Sequence, residues 1–318
     1  MEKILVTGSA GFIGMHLCEK LVKEGYQVFG LDNMNNYYDP TIKRSRNKIL
    51  KENKNFNFIN CDILDNTSLT KIFTNYNPDK VVNLAAQAGV RYSIINPQIY
   101  MKVNVLGFLN ILEQCKNFNV KGLIYASSSS VYGGNQKIPF NVLDNVDKPI
   151  SIYAASKKSN ELMAYTYSHL YSLKTTGLRF FTVYGPWGRP DMAIHIFTKN
   201  ISNGKPIDVY NYGKMKRDFT YVSDIINGSV SAIKKNYQCE VFNLGNNKVE
   251  ELKTVIHLIE KKLNKKAKLN LKEMQPGDVK ATFADINYSK KMLDYSPKTS
   301  LEEGISLFID WYKTQGLY

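Results

Sequence analysis

Short apolar runs alternate with amphipathic stretches through the first half of the chain. Ile4–Thr7, Val28–Asp32, Phe56–Asn60, Val81–Ala85 and Leu123–Ser127 are brief, partly β-branched or aromatic, and each gives way to a polar or glycine-containing turn. Such segments predict strands. Between them, Phe12–Glu24, Ser68–Tyr76 and Ile99–Asn117 predict helices, with Leu106, Leu109, Ile111 and Leu112 lying roughly on one face of the longest. A further helix near Tyr153–Tyr171 leads into a strand at Thr176–Phe181. This alternation predicts parallel βαβ units, and so an α/β fold of the Rossmann type with a doubly wound parallel sheet. After Tyr184-Gly185-Pro186 the rhythm changes. Prolines, glycines and aromatics cluster through 186–220, and Gln275-Pro276-Gly277-Asp278 marks another irregular loop. The expected organisation is a large domain over 1–184 and a smaller region over 185–318, some of whose segments return to the large domain.

Composition adds limits. The 318 residues are 43% hydrophobic, enough to bury a sizeable core. No stretch approaches the roughly 18 consecutive apolar residues of a membrane span, and Met1-Glu2-Lys3 runs into Ile4-Leu5-Val6 without the pattern of a signal peptide. Cys18, Cys61, Cys115 and Cys239 are far apart and form no CxxC pair, so they read as reduced thiols in a cytoplasmic protein, and no metal site is expected. The net charge of +14 comes from scattered lysines, without a long basic run interleaved with aromatics. It reads as a general compositional bias, from which a dianionic substrate would also gain, and neither nucleic acid nor a membrane is expected as partner.

Two groups of residues carry candidate chemistry. Gly8-Ser9-Ala10-Gly11-Phe12-Ile13-Gly14 follows the first predicted strand and opens the first helix, and Asp32 ends the next strand. Glycines there permit a tight turn and let backbone N–H groups approach a pyrophosphate at a helix N-terminus. Asp32 would accept hydrogen bonds from ribose hydroxyls and repel a 2′-phosphate, which selects NAD over NADP. The large domain is thus expected to bind NAD. Farther on, Tyr153 and Lys157 share one helical face. A tyrosine of ordinary pKa near ~10 is a poor base at neutral pH. A nearby ammonium and the positive nicotinamide would stabilise its phenolate and let it take a proton from a substrate hydroxyl.

The GxxGxxG spacing of Gly8, Gly11 and Gly14, together with Cys61-Asp62-Ile63, Asn83-Leu84-Ala85-Ala86, Ser127-Ser128-Ser129-Ser130-Val131-Tyr132-Gly133 and Tyr153-Ala154-Ala155-Ser156-Lys157, resembles the extended short-chain dehydrogenase/reductase family. The resemblance implies that Asp62 contacts the adenine, with Asn33 and Ile63 also at the cofactor. It implies that the Leu84–Ala86 backbone lines NAD, that Asn104 supports the helix behind the site, and that Lys157 also bonds the nicotinamide ribose. It makes Ser128 the catalytic hydroxyl beside Tyr153. It also implies a homodimer built on a helix pair that includes the Tyr153 helix.

Other stretches narrow the branch. Nucleotide-sugar 4,6-dehydratases typically carry Asp-Glu after the catalytic hydroxyl, and UDP-xylose synthases a glutamate at the position of Ser130; here Ser129-Ser130 stand there. Asp32-Asn33-Met34-Asn35-Asn36-Tyr37-Tyr38-Asp39-Pro40 followed by Lys43 and Arg46, Ala86–Ser93, and the run from Phe180 through Thr182 and Trp187-Gly188-Arg189-Pro190-Asp191 to Ala193 resemble UDP-glucuronate 4-epimerases over nearly the whole chain. That similarity reads the Asp32–Arg46 segment as a loop. It implies that Thr182, Ser128 and Ser129 hold the sugar carboxylate, that Arg189 contacts the sugar and Arg217 the diphosphate, that Arg91 stands at the mouth, and that Tyr210 and the Gly277-Asp278 loop meet the uridine. The implied reaction is NAD-dependent C4 epimerisation of UDP-glucuronate. Epimerisation of neutral UDP-sugars is the near alternative, and a catalytically silent NAD-binding regulator the alternative from another class.

Overall fold

The computed structural model describes residues 1–275 and 278–315. Pro276 and Gly277, in the irregular loop expected at 275–278, lie outside the described residues. Six parallel strands occur in the first 180 residues: β1 (Lys3–Thr7), β2 (Gln27–Asp32), β3 (Phe56–Asn60), β4 (Lys80–Asn83), β5 (Gly122–Ser128) and β6 (Thr175–Phe180). Their order is β6-β5-β4-β1-β2-β3, so the winding reverses between β1 and β4. A seventh parallel strand, Cys239–Leu244, pairs with β6 and brings the C-terminal half back to the sheet. The five strands expected in the first half and the strand after the long helix are therefore present, with ends moved by one or two residues.

Helices α1 (Phe12–Lys23), α2 (Pro40–Lys51), α3 (Asn66–Tyr76) and α4 (Val90–Ile95) follow β1 to β4. In α1, Leu17, Cys18, Leu21 and Val22 are buried at helical spacing against the sheet. The long helix expected over 99–117 is three pieces: α5 (Pro97–Tyr100), a π-helical segment Met101–Leu106, and α6 (Gly107–Asn117). Asn104 is the buried residue of the π segment. Next comes α7 (Ile152–Tyr171), whose first turn is capped by the Ser151 hydroxyl accepting from the Ala154 N–H.

The segment after β2 departs from the expected loop. Residues 40–51 are helical, so Lys43 and Arg46 stand on α2. Asp39 caps it by accepting from the Thr41 N–H, and Pro40 occupies its first turn. Its buried face is Lys43, Arg46, Asn47 and Leu50, helical in spacing but mostly polar, so a hydrophobic count misses it.

Beyond residue 181 the chain forms three small two-stranded sheets. Thr182–Tyr184 pairs in parallel with Phe219–Tyr221, Pro206–Tyr210 with Lys268–Lys272, and Lys216–Arg217 lies antiparallel to Glu250–Glu251.

A buried ion pair ties these parts together below the strand ends. Arg179 on β6 donates from Nε and Nη2 to both oxygens of Glu161 on α7, at 2.8 and 2.9 Å. Glu161 also accepts from the Ser127 hydroxyl at 2.6 Å, and Arg179 bonds the Tyr132 hydroxyl, which reaches Asn243 at 2.7 Å. A buried pair loses far more when one partner is removed than when both are replaced by apolar groups. Arg179→Met should therefore lower the stability read by urea unfolding by about 3 to 5 kcal/mol, and adding Glu161→Leu should recover most of it. A double variant as unstable as the two single losses added would show that the charges do not depend on each other.

Candidate functional site

The carboxyl ends of β1, β2, β4 and β5 open into one cavity of about 1360 Å³. This is the side and switch point at which doubly wound sheets bind ligands.

At one end lies the β1–α1 turn with Gly8, Gly11, Phe12, Ile13 and Gly14 on the cavity wall. Gly8 has φ 72°, and a Cβ on it would lie 2.7 Å from the Ala85 amide nitrogen. A Cβ on Gly14 would lie 2.1 Å from the Gly8 carbonyl oxygen. Neither position has room for a side chain, so the turn presents bare backbone to the cavity. Asp32 at the end of β2 is buried and accepts from the Ala10 and Met34 N–H groups at 3.2 and 2.8 Å. Lys43 Nζ stands 3.8 Å from the same carboxylate. Asn33 donates to Asp62 at 2.8 Å; both line the cavity, as do Ile63 and the Leu84–Ala86 backbone. A bare glycine turn, a buried carboxylate at the second strand end and an apolar floor fit the ADP half of NAD.

The middle of the cavity holds Ser128, Ser129, Tyr153 and Lys157. Ser128 ends β5 and accepts from the Ser130 N–H, fixing the turn. Burial pushes the Tyr153 phenol upward in pKa, while its bond to the Ser128 hydroxyl and the charge of Arg189 pull it down. Lys157 is buried and donates to the Ala126 carbonyl at 2.9 Å; burial pushes its pKa down to about 8. The net push on the phenol is upward, and Lys157 is held by the β5 backbone.

The other end carries Arg91, Thr182, Arg189, Tyr210, Arg217 and Asp278. Arg189 bonds both oxygens of Asp191. Arg91 donates to Asp278 at 3.0 Å, with its guanidinium 4.7 Å from the centre of the Tyr210 ring. Arg217 donates to the Lys216 and Lys280 carbonyls, at 2.8 and 3.4 Å.

Among the described residues, every sequence-named site position lines this cavity except Asn104; Gly277 lies outside the described residues. The Asn104 side chain bonds the Gln87 N–H and C=O and the Ser156 hydroxyl, and its carbonyl accepts from Asn160. It lines no part of the cavity and braces the Tyr153 helix behind its wall.

Sequence reasoning missed Tyr100, whose ring lies edge-on to Tyr153 at 6.0 Å. It also missed Glu161, although that residue follows Lys157 by one helical turn, and the buried Asp218 beside Arg217.

What converges here is an α/β enzyme of the short-chain dehydrogenase type, built around a dinucleotide and a second, anionic ligand. A family model described as GDP-mannose 4,6 dehydratase matches residues 5–308, and the chain belongs to that family, within the extended short-chain dehydrogenases. Protein CapI of Staphylococcus aureus is 51% identical over 98% of this chain and 98% of its own length. UDP-glucuronate 4-epimerase 4 of Arabidopsis thaliana is 46% identical over 97% of this chain and 75% of its own. UDP-glucuronic acid 4-epimerase from Bacillus cereus, solved in complex with UDP-glucuronic acid and NAD, superposes with a TM-score of 0.93 at 38% identity, covering 98% of this chain and 99% of that one.

The buried Lys157 generates a pH prediction. Its folded pKa lies below the ordinary value of about 10.4, so between pH 8 and that value the unfolded chain binds more protons. Its contribution to stability therefore rises with pH across that window. Below it the buried charge is a cost that Lys157→Met removes. In cofactor-free protein this variant should melt higher than wild type at pH 7, and the gap should close as pH climbs from about 8 to 10. A gap that stays constant would mean the ammonium is not desolvated as described.

Proposed function

We propose that this chain catalyses the NAD-dependent 4-epimerisation of UDP-glucuronate, forming UDP-galacturonate through a 4-keto sugar. Residues 1–184 hold the cofactor and residues 185–318 mainly the sugar nucleotide. The observation that carries the reading concerns acids. Among the described residues lining the cavity, the carboxylates are Asp32, Asp62, Asp191, Asp208 and Asp278, and each is engaged by N–H groups, amides or cations of the chain. The turn after Ser128 offers Ser129 and Ser130 and no acid. Eliminating water from a sugar needs a free acid and base there. Exchanging a hydride and a proton at C4 needs only Tyr153 and its neighbours.

Bound NAD supplies the hydride acceptor and donor at C4. Tyr153 takes the 4-hydroxyl proton, with Ser128 bridging the sugar oxygen and the phenol and Arg189 favouring the phenolate. Lys157, anchored on the Ala126 carbonyl of β5, would bond the nicotinamide ribose. The keto sugar turns over within the cavity, so that the hydride would return to the opposite face of C4 while Tyr153 gives the proton back to the 4-oxygen. A 4-keto glucuronate is a β-keto acid and loses carbon dioxide readily. Thr182, Ser128 and Ser129 hold its carboxylate in a geometry that disfavours that loss. Arg217 takes the diphosphate, and Tyr210, Arg91 and Asp278 close over the nucleoside end.

We also place the protein in the cytoplasm as a homodimer. No helix among the described residues is long and apolar enough to cross a membrane, and the four cysteines are free thiols. Leu162, Tyr165 and Leu170 on α7, with Met101 and Leu106 on the π segment, stay exposed. Such apolar side chains suit a face shared between two copies. Sedimentation velocity should report a dimer; a monomer at micromolar concentration would remove that part of the proposal.

The activity is tested by mixing purified protein with UDP-glucuronate, without added NAD, and resolving the 4-epimers by chromatography. UDP-galacturonate should appear, and Tyr153→Phe should lower kcat by at least about 100-fold. Thr182→Val should raise the share of decarboxylated product. Turnover of UDP-glucose but not UDP-glucuronate would move the assignment to neutral sugars, and a Thr182→Val enzyme that behaves normally would free that residue of its role.

A further inference from the structure

Three consecutive peptide carbonyls leading into Arg189 are held by side chains from the cofactor half. His16, on α1, meets the Pro186 carbonyl at 2.9 Å. Arg46, on α2 and fully buried, donates from Nη2 to the Trp187 carbonyl at 2.6 Å and to the Gly188 carbonyl at 3.5 Å. Its Nη1 donates to the Ala10 carbonyl at 3.0 Å, inside the glycine turn, and to the Tyr38 hydroxyl at 2.9 Å. One rigid, planar guanidinium therefore spans the Gly8–Gly14 turn and the Trp187–Gly188 peptides. The segment it holds is not at rest on its own. Trp187 has φ 61°, in the left-handed region, which a residue with a side chain keeps only where its surroundings fix it. Its ring packs on Trp311 at 5.3 Å. Arg189, two residues on, lines the same cavity as Tyr153 and bonds both oxygens of Asp191.

We infer that Arg46 is a positioning residue that couples occupancy of the cofactor turn to the placement of Arg189 over the sugar, with His16 sharing the load. A pyrophosphate on the turn fixes the Ala10 peptide, and the guanidinium carries that constraint to the carbonyls of 187 and 188. The coupling runs both ways, since linkage between two bound ligands is reciprocal. A sugar held by Arg189 should therefore slow the loss of NAD, and UDP alone, which leaves the sugar end empty, should do so less. The inference rests on the reading of Arg189 as a sugar contact.

The test uses the enzyme as purified, with its NAD. The rate of NAD loss into excess ADP-ribose is followed alone, with UDP, and with UDP-glucuronate. In the native enzyme UDP-glucuronate should slow the loss about 10-fold more than UDP does. In Arg46→Lys, which keeps the charge but cannot reach both loops, that extra protection should vanish. The KM for UDP-glucuronate should then rise about 10-fold while inhibition by UDP stays within about twofold. His16→Phe keeps the ring contact with Phe12 and loses only the Pro186 anchor, so it should shift both readouts the same way by less; it carries the test if Arg46→Lys does not fold. Full protection by UDP-glucuronate in a folded Arg46→Lys enzyme, or an unchanged His16→Phe enzyme where Arg46→Lys cannot be made, would overturn the coupling. Equal weakening toward UDP and UDP-glucuronate would reduce Arg46 to a general support and overturn it as well. Failure of the native enzyme to epimerise UDP-glucuronate would count against the proposed reaction, whereas NAD release is read without turnover.

Discussion

A close backbone approach between the turn after β1 and the turn after β4 sets the geometry of the crevice above the sheet. Gly8 lies against the Leu84–Ala85 peptide with no space for a β-carbon. Thr7 locks the contact: its hydroxyl donates to Asn83 at 2.6 Å and accepts from the Ala85 N–H at 3.2 Å. Because the winding reverses between these two strands, the connections on either side leave in opposite directions and a crevice opens where they part. The cavity is a consequence of strand order, and the glycine is what lets its floor be narrow enough for backbone N–H groups to reach a ligand.

Two buried carboxylates then decide where the side chains around that crevice stand. Glu161 joins α7 to β5 and β6 through Ser127 and Arg179, so Ser128 and the Tyr153–Lys157 face are positioned by one hydrogen-bonded unit. Asp218 does the corresponding work in the C-terminal half. It accepts from the N–H groups of Asn246, Asn247 and Ala284 and from the Thr220 hydroxyl, gathering three segments beside Arg217. Burial pushes its pKa up to about 6, against the opposing pull of those donors. Neither residue touches the cavity. Their effect is to remove freedom from the residues that do, which is how a site reaches the sub-ångström placement that proton transfer requires.

The sequence disclosed the parts of this arrangement that leave a local mark. Parallel strands buried on both faces show as apolar runs, and a turn that must bring backbone to a phosphate shows as glycines, so the sheet and the Gly8–Gly14 turn were legible. Most of the described positions named for the cavity also came together, because they sit at strand ends or in the turns that follow them. What stayed hidden depends on partners distant in the chain. Helix α2 buries Lys43, Arg46 and Asn47, and nothing local tells a polar buried face from a solvated one. The π segment is a change in hydrogen-bond register that leaves the apolar spacing of 99–117 intact, and it is what turns Asn104 inward to Gln87 and Ser156. Arg179 and Glu161 are far apart in sequence and acquire meaning only when β6 and α7 are laid side by side.

The treatment of charge unites the fold with its chemistry. A chain of net charge +14 could have lined this cavity with free cations and bound any anion. Instead, its cavity-facing arginines are each committed: Arg189 to Asp191, Arg91 to Asp278, Arg217 to backbone carbonyls. A committed guanidinium has little orientational freedom left to lose when a ligand arrives, so more of each contact is available as affinity. In the reaction proposed above, the same commitment keeps the carboxylates out of play as acids or bases and leaves the Tyr153 phenol, with Ser128 beside it, to move the proton. Selectivity among reactions open to one fold thus comes from which charges the protein has already satisfied, and only then from which ones it presents.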